Sequence, residues 1–215
     1  MNKSIAILGM GQFGSYIAEE LSDNGADVLI ADKNEEIINQ YADKVSYAMT
    51  AELSDPKAIE AIGLSNMDVV VVAMGDSLES SIMCVMVAKE EGVPYVIAKA
   101  SSERMGEILK KVGADEVIYA EKESARSNAR KIMSSNFLEF FDLGDDLCVV
   151  SMRPLSRWVG KTLSELRLRN KYKINVVAVK KNKSANADIN PEDPIEADSQ
   201  LLIITQKNNL DKLNK

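Results

Sequence analysis

The sequence predicts an α/β protein, a doubly wound parallel sheet followed by a small α+β C-terminal lobe. Three observations carry that expectation. Between residues 4 and 119, short apolar runs alternate six times with helical patterns. A glycine-rich loop, Gly9-Met10-Gly11-Gln12-Phe13-Gly14, stands between the first apolar run and the first helical pattern. After residue 120 the alternation gives way to one long helical stretch and then to shorter strands.

The elements follow in order. Residues 5–8 read as a buried strand, and Phe13, Ile17 and Leu21 recur at four-residue spacing on one helix face that ends near Asn24-Gly25. Residues 27–31 form a second strand, 35–41 a short helix, and 45–48 a third strand. Asp55 is placed to cap a helix over 56–62, with Pro56 at its first position, where a missing N–H costs nothing. Residues 69–72 are four valines with no wet face, as in a central parallel strand covered on both sides. A helix with Ile82, Val85 and Met86 inward follows, then a strand over 95–98, a helix over 102–111 and a strand over 117–119. Beyond it a helix is expected over 123–140, with Ala125, Ala129, Ile132 and Met133 on one stripe. Strand 147–152, helix 163–169, strand 175–180, a polar loop over 182–194 and strand 200–205 complete the lobe. The expected division is a nucleotide-binding domain over 1–120, a linking helix over 121–141 and the C-terminal lobe over 142–215.

Composition excludes several classes. With 46% hydrophobic and 27% charged residues the chain has an ordinary globular makeup. A net charge of −7 repels phosphate backbones and anionic headgroups, so nucleic acid is not an expected partner. The clusters Arg126, Arg130, Lys131 and Lys180, Lys181, Lys183 read as solvated faces. Two cysteines, Cys84 and Cys148, are too few for a disulfide framework or a zinc site and suit a reducing compartment. The longest apolar run, 67–74, is far short of a membrane span, and a strand pattern by Ile5 leaves no room for a signal peptide, so a cytoplasmic location is expected. There is no histidine, which removes the commonest acid/base group near neutral pH.

The glycine loop is where chemistry concentrates. Its first glycine permits the tight turn, the second lets a phosphate reach the backbone, and the third packs helix on strand. Asp32 ends the second strand 18 residues after Gly14, where a carboxylate can take both ribose hydroxyls or else simply cap the next helix. Lys33 follows it. Ala73-Met74-Gly75 closes the fourth strand, where backbone would face ribose and base. Lys99 ends the fifth strand and either reaches phosphate or is merely exposed. Glu121 follows the sixth, where it either holds a cation bridging nucleotide phosphates or starts a helix. Tyr95 and Lys99 match the spacing of short-chain dehydrogenases, but that pairing needs a helical turn and this segment reads as a strand.

On these residues the chain resembles the RCK-domain regulators of potassium transport, the Trk/Ktr regulatory subunits, over essentially its whole length. The matching residues are GMGQFG (9–14), Asp32, AMGD (73–76), Lys99 and GADEVIYAE (113–121), then VGKTLSEL (159–166), Arg169, Tyr172 and NVVAVK (175–180). Within them Thr162 and Glu165 have the spacing of a capping box. The resemblance implies an adenine nucleotide (ATP, ADP, AMP or NAD(H)) in a Rossmann-type N-lobe. It also implies homodimers building an octameric ring beneath a membrane-spanning, potassium-translocating subunit, hence a location at the inner face of the membrane. In some members the C-lobe dimer interface takes cyclic di-AMP, at positions that correspond to Arg169, Asn175, Val176 and Val177. Gln12 stands where ATP-responsive members often place arginine, which leaves AMP, ADP or NAD(H) more open. The usual glycine after the tyrosine is Lys173 here, and the usual later Gly-Asp is Ala197-Asp198. A dehydrogenase reading needs a substrate domain with an acid or base, which the C-lobe does not visibly offer. A DNA-binding sensor needs a helix-turn-helix.

Overall fold

The structure, a computed structural model, describes residues 3–133, 136–181 and 184–213. The chain divides into two units, Met1–Lys122 and Glu123–Lys215.

In the first unit β1 (Ser4–Leu8), α1 (Gln12–Asp23), β2 (Asp27–Asp32), α2 (Glu35–Tyr41), β3 (Tyr47–Thr50) and α3 (Pro56–Glu60) make one half. The other half is β4 (Val69–Val72), α4 (Leu78–Glu90), β5 (Tyr95–Lys99), α5 (Glu103–Lys111) and β6 (Glu116–Ile118), with α6 (Ala120–Met133) following. The strands are all parallel and run in the order β3-β2-β1-β4-β5-β6. This is the Rossmann order, with the switch point between β1 and β4.

Alternation along each strand sorts the core into two layers. Ile5 and Ile7 of β1 join Val28 and Ile30 of β2, Ala18 of α1 and Ile38 of α2. Ala6 and Leu8 face the other way, onto Ile59 of α3, Cys84, Val85 and Ala88 of α4, and Leu109 of α5. Phe13, Ile17 and Leu21 pack as the spacing predicted, half-buried against the first layer. On α4 the prediction needs correcting, because Met86 is exposed and Ser81, Cys84, Val85, Val87 and Ala88 are buried. The helix rests on a wide sheet face, so its buried stripe is broader than three residues spaced along it. Cys84 is fully buried and its thiol points to the Leu53 carbonyl at 3.6 Å.

Local chemistry fixes the boundaries. The Asp55 carboxylate accepts from Lys57 N at 3.0 Å, with Pro56 at the first helical position as expected, although the helix ends at Glu60 rather than residue 62. Asp115 ties β6 to β5: its Oδ2 accepts from Val96 N at 2.7 Å and from Lys89 Nζ at 3.0 Å. Partial burial would raise the Asp115 pKa, but the Val96 amide and the Lys89 ammonium outweigh it and hold the carboxyl below its ordinary value.

In the second unit β7 (Phe137–Asp142), β8 (Leu147–Met152), α7 (Leu163–Leu166), α8 (Leu168–Tyr172), β9 (Ile174–Lys181), β10 (Ser184–Asn186) and β11 (Gln200–Gln206) follow α6. The strands form an antiparallel sheet in the order β10-β9-β11-β8-β7. Its core gathers Cys148, Val150, Met152, Trp158, Ile174, Leu201 and Ile203. Trp158 meets Tyr172 edge to face at 5.4 Å between ring centroids.

Three expectations are corrected here. The helix predicted over 123–140 ends at Met133, and Phe137–Asp142 is a strand paired with β8. Aromatic side chains fit a half-buried pleat better than an exposed helix face. Asp142 Oδ1 accepts from Gly144 N at 3.1 Å and opens the tight turn into β8. Of the expected stripe, Ala125, Ala129 and Ile132 are exposed, and the Met133 side chain lies outside the described residues. The helix predicted over 163–169 is two helices, because Arg167 sits in the left-handed region at φ 47°. The loop predicted over 182–194 contains β10, while Asn182 and Lys183 lie outside the described residues, as do the side chains of Arg130 and Lys131. The Thr162–Glu165 capping box is present in both directions. Among the described residues no helix is long and apolar enough to cross a membrane.

Asp115→Ala leaves the buried Val96 N–H without a partner, and the expected loss is about 1–3 kcal/mol, read by denaturant unfolding. Since the folded carboxyl titrates below an unfolded one, its contribution is present above the ordinary carboxylate range and disappears as pH falls through the lower folded value. Asp115→Asn flattens that acid-side slope. Lys173 closes α8 at φ 60°, a conformation that costs a side chain and suits glycine. Lys173→Gly is therefore expected to stabilise the protein by about 0.5–1 kcal/mol in the same assay.

Candidate functional site

The loop leaving β1 and the loop leaving β4 meet at the switch point. Gly9 has φ +96°, which only glycine adopts without strain, and a Cβ there would run into the Met74 side chain. A Cβ on Gly14 would collide with the Gly9 carbonyl oxygen and stand 3.2 Å from the Ala73 Cβ. The first and third glycines are thus demanded by packing. Gly11 differs: φ is −67°, and a Cβ there would meet nothing within 4 Å.

Asp32 reaches the loop directly. Its Oδ2 accepts from Met10 N at 2.7 Å, and its Oδ1 accepts from Asn34 N at 2.9 Å. The carboxylate therefore steers the chain on both sides of the cleft, and the helix after it is capped by Asn34, whose side chain accepts from Glu36 N. Of the two sequence readings for Asp32, helix capping belongs to its neighbour. Met10 is buried, while Gly11, Gln12 and Lys33 are exposed at the rim.

On the β4 and β5 side, Ala73 and Gly75 are buried and Met74 is half-buried. The Lys99 side chain lies across Gly75, where a Cβ would come within 3.2 Å of both Cε and Nζ. Its ammonium stands 5.6 Å from the centroid of the Phe13 ring, in the first turn of α1. Lys99 is thus brought to the glycine loop, and its side chain is only 14% exposed. Glu121 does start a helix, in the first turn of α6, and its Oε1 is 2.7 Å from Lys99 Nζ. That ammonium holds the Glu121 carboxyl below the usual carboxylate range. Among the described residues no group of three or more Cys, Asp or Glu side chains is arranged to hold a metal. Tyr95 and Lys99 lie on one strand, as the sequence reading required.

Two serines that hold the loops were missed. The Ser15 hydroxyl lies 3.0 Å from the Met10 carbonyl and 2.8 Å from that of Gly11, and it is buried. The Ser81 hydroxyl, fully buried, reaches the Met74 and Ser77 carbonyls at 2.7 Å each. The signal for Ser81 was a small hydroxyl on the apolar face of α4, and for Ser15 its place directly after the third glycine.

In the second unit Arg169 Nε donates to Asn175 Oδ1 at 2.6 Å, so these exposed residues form one polar pair. Val176 and Val177 are half-buried beside them at the irregularity where the β9–β11 register shifts.

Comparison with known proteins matches the geometry. The TrkA-N domain family model covers residues 5–120 and the TrkA-C domain model residues 149–215. Ktr system potassium uptake protein C of Bacillus subtilis (strain 168) is 32% identical over 215 residues, spanning 100% of this chain and 97% of its own. Ktr system potassium uptake protein A of the same organism is 30% identical, over 97% of this chain and 94% of its own. Among solved structures, the GsuK RCK domain superposes with a TM-score of 0.66 at 14% identity, covering 100% of this chain and 47% of that one. The GsuK channel bound to NAD gives 0.69 at 14% identity, over 98% of this chain and 38% of that one. The chain thus spans less than half of the GsuK chains, and at that identity the likeness is one of fold. Both domain models in sequence order, and relatives matched from end to end, place this chain in the TrkA-N/TrkA-C family.

Proposed function

We propose that the chain is a nucleotide-binding regulatory subunit of a potassium uptake system, acting on a membrane-spanning, potassium-translocating partner. The observation that carries the ligand is Gly11. Nothing in the fold demands glycine there, whereas a phosphate approaching the free amides at the N-terminus of α1 does. Asp32 lies one hydrogen bond from that loop and would take the ribose hydroxyls of an adenine nucleotide while repelling a 2′-phosphate. Lys33 is exposed beside it at the rim. Ala73-Met74-Gly75 would line the ribose and base, and Lys99 would meet phosphate. AMP, ADP and NAD(H) suit Gln12 better than a terminal phosphate that needs arginine. A cation bridging the phosphates would have Glu121 as its protein ligand.

The regulatory part rests on the relatives, whose names assign them to potassium uptake and which match this chain along its length. In this reading homodimers build a ring, an octamer in the resemblance drawn above, on the cytoplasmic face of the membrane. The Arg169–Asn175 pair with Val176 and Val177 supports a second, anionic ligand in the C-lobe, of which cyclic di-AMP is the candidate. No bond need break: a ligand that binds one arrangement of the ring better than another shifts the population by its differential affinity, about 1–3 kcal/mol per site. The family match supports this reading over an NAD-dependent oxidoreductase.

Two measurements test it. Gly11→Ala is expected to leave the melting temperature within about 2 °C of wild type, and Asp32→Ala to lower it by removing the Met10 partner. By calorimetry both are expected to weaken adenine-nucleotide binding about 10- to 100-fold, the equivalent of one or two charge-assisted contacts. Unchanged affinity in both would refute the site. Reconstituted with its membrane subunit in liposomes, the chain is expected to alter potassium flux alike with ATP and a non-hydrolysable analogue, and to distinguish nucleotides by affinity. Flux indifferent to every nucleotide would refute the regulatory role.

A further inference from the structure

The Lys99–Glu121 contact is more than a surface ion pair. Lys99 is held from three sides: Gly75 runs beneath its stem, the Phe13 ring stands 5.6 Å from its ammonium, and Glu121 Oε1 closes on that ammonium at 2.7 Å. The stem is mostly buried, at 14% exposed, while the glutamate is 68% exposed. The lysine is therefore enclosed beside the glycine loop, and the carboxylate is the solvent-facing partner. A phosphate arriving at the loop would find the cation at the cleft already neutralised.

We propose that Glu121 is a built-in competitor for Lys99, an internal anion that a phosphate-bearing ligand must displace. This rests on the nucleotide reading above and adds to it a rule of selection. A ligand that places phosphate at Lys99 pays the loss of the pair and gains the lysine, whereas a ligand without phosphate leaves the pair closed. The cleft then responds to phosphate charge and not only to the adenosine it carries. Displacement also frees the first-turn carboxylate of α6, the helix that runs from the first unit into the second, so the arrival of phosphate changes a contact on that helix. Because Glu121 is exposed, the competition is modest. Exposed pairs of this kind shift an equilibrium by about two- to fivefold, and removing a negative charge next to an incoming polyanion adds to that.

The test is calorimetry on the full chain in EDTA, so that no divalent cation bridges carboxylate and phosphate. ADP is measured directly and adenosine by competition. Glu121→Gln is expected to bind ADP about fivefold more tightly than wild type at low salt, with adenosine unchanged and the gain shrinking as salt is raised. Lys99→Met is expected to weaken ADP and leave adenosine alone, and in that background Glu121→Gln is expected to have little further effect. Unchanged or weaker ADP binding by Glu121→Gln in EDTA would overturn the competitor role while leaving the nucleotide site standing. Equal tightening of ADP and adenosine would also overturn it, since a merely structural change moves both. Wild type that binds neither ligand would overturn the nucleotide reading and this inference with it.

Discussion

At the switch point the loops leaving β1 and β4 come as close as backbone allows, and the rest of the cleft takes its position from that approach. The third glycine lets α1 start against the Gly9 carbonyl, with Ala73 beside it. The backbone follows suit, with Gly9 N donating to the Ala31 carbonyl and Ala73 N to that of Leu8, each at 2.8 Å. Once α1 is seated, Phe13 is seated, and the Lys99 ammonium has a ring on one side and Gly75 on the other. Ser15 and Ser81 tie the two loops down by hydrogen bonds to the Met10 and Met74 carbonyls.

Much of this was legible in the sequence because it is local. Periodicity marks the strand and helix alternation of the first unit, and the glycine spacing marks the β1–α1 loop at the switch point. The Asp55-Pro56 start and the Thr162–Glu165 box are also contacts within a few residues, and both are present. The errors arise where tertiary pairing or a single backbone angle overrides the local pattern. Residues 137–140 continue a helical pattern, but Phe137, Phe140 and Phe141 find Met152, Val150 and Val149 across a sheet edge, and the pairing decides. The break at Arg167 is a left-handed residue that no propensity marks. Met86 was expected inward from spacing alone, whereas burial on α4 is set by the breadth of the sheet beneath it. The Lys99–Glu121 contact was readable only as two separate candidates, because 22 positions and a helix separate residues that the C-terminal edges of β5 and β6 bring together.

Charge at two length scales pulls in opposite directions. The chain carries a net −7, so an anionic nucleotide is repelled at a distance. Within the cleft the Lys99 ammonium is paired with Glu121, so the uncompensated positive character at contact range comes from the amides at the start of α1. Salt screens such long-range repulsion more than a contact made at the loop itself.

The burial of Cys84 has a chemical consequence of its own. Removed from water on the inner face of α4, the Cys84 thiol is pushed up to about 12 by burial, which disfavours the thiolate that oxidants and alkylating reagents attack. Cys148 is equally shut into the second unit, its Sγ 3.3 Å from the Thr205 carbonyl. Both native thiols are shut away from solvent in the folded protein. A cysteine introduced on the surface is therefore expected to react with a spectroscopic label ahead of either natural thiol.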